Sequence, residues 1–564
     1  MFKLKTFFLL FLLSCQIKAP LLKKGIDRPS YWPTEVWKQS TPEKQGVDSK
    51  KLIEMMELIK DKDYKIDSIS IIRNGFLVTD YYKYPFKKGK KHIIHSVSKS
   101  FLSALVGIAI DKGFIKSVKT KVIGFFPDKL SPNMDENIKD ITLEHLLMMA
   151  SGLKTEDSWH HKWVGLRKMK SHDDWVKYLL NLPMERDPGT KFEYSNGVSY
   201  LISAILFKST KMKPQEFAQK YLFDPLGISE SDIRWELDPR GIHIGWGGMR
   251  MRPIDMAKFG LLYLNKGIWE GKQIVSKNWV ESSTKKYLDS DLYKNYGYQW
   301  WSGPAYFNIE KAWRFKWNFG FKSDPIENYY MAVGFMGQFI YVIPDRNMVV
   351  VFTSHLEDSE NFIPKALLDE YILPAVISNT FIKEEKNVTE KFNFLISSST
   401  KERNFIWHSR REGFTQKKLF IRKEIPSLKL KLPEGSTKSK LLSENEIMAM
   451  TTPEGGRIAI SINNIPEGVS LKKAGPLIKE AFKSVGSQVK LISNERITLN
   501  DKKVAFKTSF EWKYLSLFDV RTVIISIFKK GRWVTMSYSY DYLNESSEPF
   551  FENDLAVLTS GLTF

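Results

Sequence analysis

The chain is almost without cysteine: of 564 residues, Cys15 is the single one. That excludes internal disulfides, cysteine-ligated metal centres and a thiol nucleophile in the body of the protein. It also lacks long hydrophobic runs, and no segment reaches the roughly 18 uninterrupted apolar residues of a membrane-spanning helix. Acidic residues are in deficit, 64 against 85 Lys and Arg, giving a formal net charge of +21. Such an excess favours anionic surfaces such as lipid head groups or acidic polymers. The lysines, however, are scattered through both halves and no nucleic-acid motif accompanies them, so nucleic acid is not an expected partner. What is present describes a globular protein: 43% hydrophobic and 13% aromatic residues, in a chain long enough for two or more domains.

The N-terminus has the layout of an export signal. Lys3 and Lys5 form a basic start, Phe7 to Leu13 a short apolar core, and Leu12-Leu13-Ser14-Cys15 a close. About seven apolar residues are too few to span a bilayer. The lone cysteine stands where a bacterial lipoprotein signal places the residue to be acylated, while cleavage after Ala19 is the rival reading. The expectation is a body tethered by a lipid on Cys15 to the bacterial cell envelope, at the periplasmic face or the cell surface. Residues 1–19 are the signal and tether start, and 20–40 continue as tether.

Along the chain, Lys50 to Lys60 is patterned as an amphipathic helix. Ile66 to Tyr82 reads as two strands around Asn74-Gly75, the first alternating as a half-buried strand should. Helical patterns dominate from about 100 to 285, including Leu143 to Met149 and Tyr200 to Phe207. Strands return at Phe339–Ile343 and Met348–Thr353, followed by a helix over Pro364–Leu373. Strands and helices at both ends with a helical middle predict one sheet built from both termini: an α/β (α+β) body over 40–378. Residues 379–418, with the charged stretch Lys383–Lys391, read as an unpatterned linker. Residues 419–564 form a smaller α+β C-terminal domain, with strand-like runs and one amphipathic helix at Pro476–Val485.

The chemistry concentrates at Ser96-Val97-Ser98-Lys99, which opens the apolar run Phe101 to Ile110. Residues i and i+3 on a helix are neighbours, so the Lys99 amine can approach the Ser96 hydroxyl. If burial lowers the lysine pKa, the neutral amine can take the serine proton. The helix N-terminus adds free N–H groups where an oxyanion would form. Ser-x-x-Lys occurs seven other times, so its apolar context distinguishes this copy. A second stretch, Pro188-Gly189 through Tyr194-Ser195-Asn196, sets a tyrosine and an asparagine on a loop before a helix. The first is suited to shuttling a proton and the second to holding a substrate carbonyl.

Together these stretches resemble the serine β-lactamase and penicillin-recognising hydrolases. The likeness is to the class C β-lactamase-like branch with its esterases, D-amino-acid peptidases and 6-aminohexanoate-oligomer hydrolases. The resemblance covers about residues 40–375. It also rests on Ile141 to Leu153, on Gly247-Gly248-Met249-Arg250 through Gly260, and on Gly334-Phe335-Met336-Gly337-Gln338. It implies a β-lactamase/transpeptidase-like fold, an antiparallel sheet with a helical subdomain. It further implies Ser96 as acylated nucleophile, Lys99 as its base partner, Tyr194 as proton shuttle and Asn196 as substrate contact. Gly334, Gly337 and Gln338 fall on the substrate-side strand, whose backbone would complete an oxyanion hole with Ser96. No cofactor or metal is implied.

The third motif departs from the family: no Lys or His followed by a small residue and Gly precedes Gly337. That argues against efficient β-lactam hydrolysis and for ester or amide substrates, small or peptide-like. A β-lactamase or D,D-carboxypeptidase acting on cell-wall peptides, and a non-catalytic envelope interaction protein, are the alternatives. Trp159-His160-His161-Lys162-Trp163 is expected near the cleft mouth; its adjacent histidines point apart on a helix, so packing is favoured over a metal site. The stretch from Phe420 to Phe564, led by Leu432-Pro433-Glu434-Gly435, faintly resembles the PsbP-like α/β sandwich, which implies a binding or scaffold role. Substrate identity and oligomeric state are not legible.

Overall fold

The computed structural model describes residues 31–541 apart from 84–85, 133, 158–162, 291–294, 304–328 and 357–359. Beyond 412 it also leaves out 413–414, 422–424, 433–436, 439–445, 452–456, 465–485, 499–503, 515–517 and 530–531. Cys15 and its signal segment, Trp159 to Lys162, and the helix expected at Pro476–Val485 therefore lie outside the described residues.

Helix α1 (Ser49–Asp61) starts where the Asp48 side chain accepts from the Lys50 N–H, and it buries Leu52, Ile53, Met55, Met56 and Ile59. Strands β1 (Ile66–Arg73) and β2 (Phe76–Tyr82) follow, with Arg73 paired to Phe76 across a two-residue turn. Asn74 and Gly75 both have positive φ, 52° and 82°, the requirement of a type I′ hairpin. The expectation of a half-buried first strand is corrected here: β1 is buried at every position. It lies between β2 and the last strand of the sheet, with helix packing on the sheet face, and Ser68 Oγ bonds its cross-strand partner Thr353 Oγ1 at 2.6 Å.

A short strand β3 (His92–Ile93) leads to helix α2 (Ser98–Asp111), in which every residue from Ser98 to Ala109 is buried. A helix apolar on all sides belongs inside a fold, not on its surface. Helix α3 (Leu143–Leu147) packs on α4 (Asn196–Thr210), which itself packs beside α2. Strands β4 (Arg234–Trp235) and β5 (Met249–Met251) join β3 in a small second sheet. Helix α5 (Pro253–Leu264) lies on the main sheet and meets α2 through stacked Phe259 and Phe101, 3.9 Å between ring centres.

The main sheet is completed by β6 (Leu288–Asp289), β7 (Asn295–Tyr296), β8 (Trp301–Ser302), β9 (Tyr330–Gly334), β10 (Gln338–Ile343) and β11 (Met348–Ser354). Its order is β2-β1-β11-β10-β9-β8-β7-β6, and neighbours are antiparallel throughout. The first hairpin thus pairs with the final strand, as a sheet built from both ends requires.

Two segments read as tether or linker are folded. Trp32 packs on Trp269, and the Thr34 carbonyl accepts from Lys258 Nζ at 2.9 Å, so the residues after Tyr31 belong to the body. The stretch expected as an unpatterned linker contains α6 (Lys386–Glu412). Val388, Phe392, Leu395 and Ile396, at helical spacing among charges, turn one face to the core beside α1. Lys391 pairs with Glu57 at 2.7 Å, and Ser399 donates to the Tyr82 carbonyl at 2.6 Å. Beyond it, the described residues form a two-stranded ribbon and a seven-stranded antiparallel sheet, with Arg457–Asn464 paired along its length to Arg532–Asp541.

Candidate active site

Ser96 stands on a 3₁₀ turn, His95–Val97, between β3 and α2. His95 holds a positive φ of 47°, a conformation a bulky residue adopts at a cost of about 1–3 kcal/mol and one that concentrates at functional sites. Its ring is part-buried with Nε2 enclosed, lines the cleft and meets the edge of Phe335, and desolvation drives its pKa to about 3. The imidazole next to the serine is therefore neutral and has no role as a cation.

Lys99 is 2% exposed. Its Nζ lies 3.0 Å from Ser96 Oγ, 2.9 Å from Asn196 Oδ1 and 3.0 Å from the Trp246 carbonyl oxygen. Burial holds its pKa well below the ordinary lysine value, against the upward pull of the Asp157 carboxylate. In its neutral form, which burial favours, the amine has two hydrogens and one lone pair. Two of its three neighbours, the Asn196 and Trp246 oxygens, only accept. They take both hydrogens, and the lone pair is left facing the Ser96 hydroxyl. Tyr194 OH donates to the same Ser96 Oγ at 2.8 Å, while its ring stacks on Trp301 and lies 4.8 Å from Lys99 Nζ. The three side chains singled out from the sequence thus meet at one oxygen, on one side approached by a base and on the other by a phenol.

Asn196 is the first residue of α4, whose N-cap is Ser195: its Oγ accepts from the Val198 N–H at 3.0 Å. Asn196 reaches Lys99 through Oδ1 and donates from Nδ2 to the Asp157 carbonyl at 3.3 Å. Asp157 escaped the sequence reading. It is buried at 2% exposure, accepts from the Gly197 N–H at 2.5 Å and from Ser195 Oγ at 3.2 Å, and keeps its Oδ1 without a hydrogen-bond partner. Burial raises its carboxyl to about 6 in spite of those bonds. Nothing in the tripeptide Thr155-Glu156-Asp157 marks it; the one available signal was its place just after the matched Ser151-Gly152-Leu153.

On the opposite wall, Gly334 runs so close to the nucleophile's segment that a Cβ there would sit 2.4 Å from the Ile94 carbonyl oxygen. Met336 and Gly337 turn with positive φ, 61° and 85°. Gln338, expected to serve the substrate through its backbone, has its side chain turned inward. Its Nε2 donates to the carbonyls of Phe335, Met336 and Ser354, and its Oε1 accepts from the Ser354 N–H. It braces the turn, which leaves main-chain groups as that position's offering to a ligand. Gly337 is held from the other side, since Ser354 Oγ donates to its carbonyl at 2.7 Å.

Ser96 and Asn196 open into a cleft walled by Trp163, Trp246 and Phe335, with Lys170, Glu236 and Arg250 as its charged lining. Trp163 is the described end of the tryptophan–histidine stretch expected at the cleft mouth. Among the described residues, one group of side chains is spaced to ligate a metal, and it lies outside this cleft, at Asp67, His92 and His355.

Comparison with known proteins matches residues 57–370, more than half of the chain, to the family model described as Beta-lactamase. A curated relative, the 6-aminohexanoate-dimer hydrolase of Paenarthrobacter ureafaciens, is 26% identical over 226 residues, 38% of this chain and 56% of that protein. Another, the lovastatin esterase of Penicillium rubens, is 29% identical over 118 residues, 20% of this chain and 29% of that protein. The chain spans less than two thirds of the length of either relative. Among solved structures, a penicillin-binding protein homologue from Pyrococcus abyssi, an octamer, aligns over 86% of this chain and 99% of its own at 16% identity, with a TM-score of 0.43. A D-alanine carboxypeptidase from Burkholderia cenocepacia aligns over 57% and 99% at 15% identity, with a TM-score of 0.42.

Proposed function

Because this chain belongs to the β-lactamase family of serine hydrolases, we propose that it cleaves ester or amide bonds of small or peptide-like substrates through an acyl-enzyme on Ser96. The observation that carries this reading is a buried Lys99, its pKa lowered by burial, with Nζ 3.0 Å from the Ser96 hydroxyl and its other two partners both acceptors. In that role Lys99 takes the serine proton as Oγ attacks the carbonyl. Tyr194, bonded to the same oxygen, passes a proton to the leaving group and later takes one from the deacylating water. The Ser96 N–H, in a first turn where no intrahelical acceptor exists, and main-chain N–H groups of the Gly337-Gln338 turn stabilise the oxyanion. Asn196 orients Lys99 and offers its remaining amide hydrogen to the substrate carbonyl.

Ester and amide substrates are favoured over β-lactams because the strand and turn Ala332-Val333-Gly334-Phe335-Met336-Gly337 carry no cationic side chain to hold a ring carboxylate. The aromatic walls fit an apolar acyl chain. Anchoring of the protein at a bacterial cell envelope by a lipid on Cys15 is part of the same proposal, supported by the signal-like N-terminus alone. Among the described residues, no helix is long and apolar enough to cross a membrane.

Intact-protein mass spectrometry after exposure to a fluorophosphonate, and separately to a penicillin, tests the reading. The expected result is a single fluorophosphonate adduct, absent from Ser96→Ala, and none with penicillin. A stable penicillin adduct would move the substrate to cell-wall peptides or β-lactams. No adduct from either reagent on folded protein would overturn the catalytic reading and leave a non-enzymatic envelope role.

A further inference from the structure

Four residues before Ser96, on the far side of β3 from the cleft, three side chains converge that the hydrolytic chemistry does not use. Asp67 comes from β1, where the register against β11 shifts between Ile66 and Ser68. Such a bulge re-aims the side chain at that point. His92 opens β3, and His355 follows directly on β11. Asp67 and His92 are buried, at 4% and 2% exposure, whereas the His355 side chain keeps 28% and opens the cluster to solvent. Asp67 Oδ2 lies 3.0 Å from His92 Nε2 and 2.5 Å from His355 Nδ1. The Phe86 ring covers both imidazoles, 5.0 and 5.4 Å from their centres.

The hydrogen positions of His92 leave this group short of a positive charge. Its Nδ1 is 2.7 Å from the Ile93 carbonyl oxygen, which only accepts, so Nδ1 carries the hydrogen. In a neutral ring that leaves Nε2 with its lone pair aimed at a carboxylate oxygen, itself an acceptor. Two lone pairs held face to face at 3.0 Å call for a cation between or beside them. An Nδ1–H bonded to a backbone carbonyl is also the arrangement that fixes a metal-ligating histidine to present Nε2.

We propose that Asp67, His92 and His355 bind one divalent transition-metal ion of the zinc type. Their ligand atoms all lie within 4.8 Å of one another. Bonds of about 2.0–2.2 Å to each are reached by small side-chain movements, with the solvent side of His355 left for a water as fourth ligand. Two imidazoles and a carboxylate are a donor set that suits zinc and its neighbours and not calcium or magnesium. The ion would tie together three separate segments: the start of β1, the strand that leads into Ser96, and the end of β11, whose Ser354 holds Gly337. It is a brace under both walls of the cleft and touches no reacting atom.

The test uses the full-length, tag-free chain, stripped with a chelator and titrated with Co²⁺ alone, with folding checked by circular dichroism and a cooperative thermal unfolding transition. The expected result is one equivalent bound with the strong visible absorption of four-coordinate cobalt, displaced by Zn²⁺, with proton release. His355→Ala, at the most exposed ligand, should weaken binding by more than the roughly 10–100-fold that loss of an outer-shell partner costs, and Asp67→Asn should do the same. Binding below one equivalent, a spectrum without the four-coordinate bands, or cobalt held as tightly by His355→Ala would overturn the proposal. The cluster would then be a proton-bridged carboxylate and nothing more. Because folding is read independently of Ser96, this outcome is distinct from failure of the catalytic reading.

Discussion

Lys99 and His92 are two basic side chains seven positions apart, each 2% exposed, and the structure treats them in opposite ways. Lys99 has only neutral oxygens within hydrogen-bond distance, so burial outweighs the pull of the Asp157 carboxylate and holds its pKa well below the ordinary lysine value. His92 meets a carboxylate at 3.0 Å and has a second imidazole beside it. One environment turns a cation into a base aimed at a hydroxyl. The other gathers donor atoms around a point that a cation would fill. Burial alone therefore does not give a basic residue its role; the formal charge of its nearest partners does.

The contrast can be broken most severely at Lys99. Lys99→Met keeps the volume and removes the lone pair, and the rate of fluorophosphonate labelling should fall by about 10²–10⁴-fold, the range of a lost general base. Stability should hold or rise, because a dry amine is replaced by an apolar chain; thermal unfolding measures this. Tyr194→Phe removes one donor from Ser96 Oγ and leaves the ring on Trp301. About a 10²-fold loss in turnover is expected, falling on kcat and not KM.

Asp157→Asn sharpens the comparison, since this carboxylate is the charge that raises the Lys99 pKa. Without it Lys99 should lose its proton at lower pH, so the acid limb of the kcat/KM profile should move to lower pH. The plateau should drop roughly tenfold, matching about 1–2 kcal/mol for a disturbed buried hydrogen bond at Gly197. A limb that moves to higher pH would show that Asp157 acts otherwise than through its charge. The smallest effect is expected on the far side of β3. His355→Ala should change labelling of Ser96 by less than about tenfold, since it reaches the cleft only through hydrogen bonds worth about 1 kcal/mol each.

How much of this was legible follows from how local each feature is. Ser96 and Lys99 declare themselves because one helical turn sets them side by side, and Tyr194 and Asn196 because a loop and an N-cap fix them in four residues. The hairpin at Asn74-Gly75 is similarly self-contained. Asp157 acts mainly through backbone and cap bonds to residues 38 to 40 positions away, and Asp67, His92 and His355 are brought together only by strand pairing; no spacing announces either. Helix α6 was missed because its apolar positions, Val388, Phe392, Leu395 and Ile396, sit among charges that read as a linker. Gln338 was placed on the correct strand, yet which way its side chain turns depends on Ser354 across the sheet.

Activation of Ser96 by a neutral Lys99 is open to one decisive measurement, the pH dependence of fluorophosphonate labelling at Ser96. The expected result is a rate that rises through a single ionisation well below the ordinary lysine value and then stays flat, with the rise absent from Lys99→Met. A rate that climbs only near the ordinary lysine value, or a profile that Lys99→Met leaves unchanged, would contradict it.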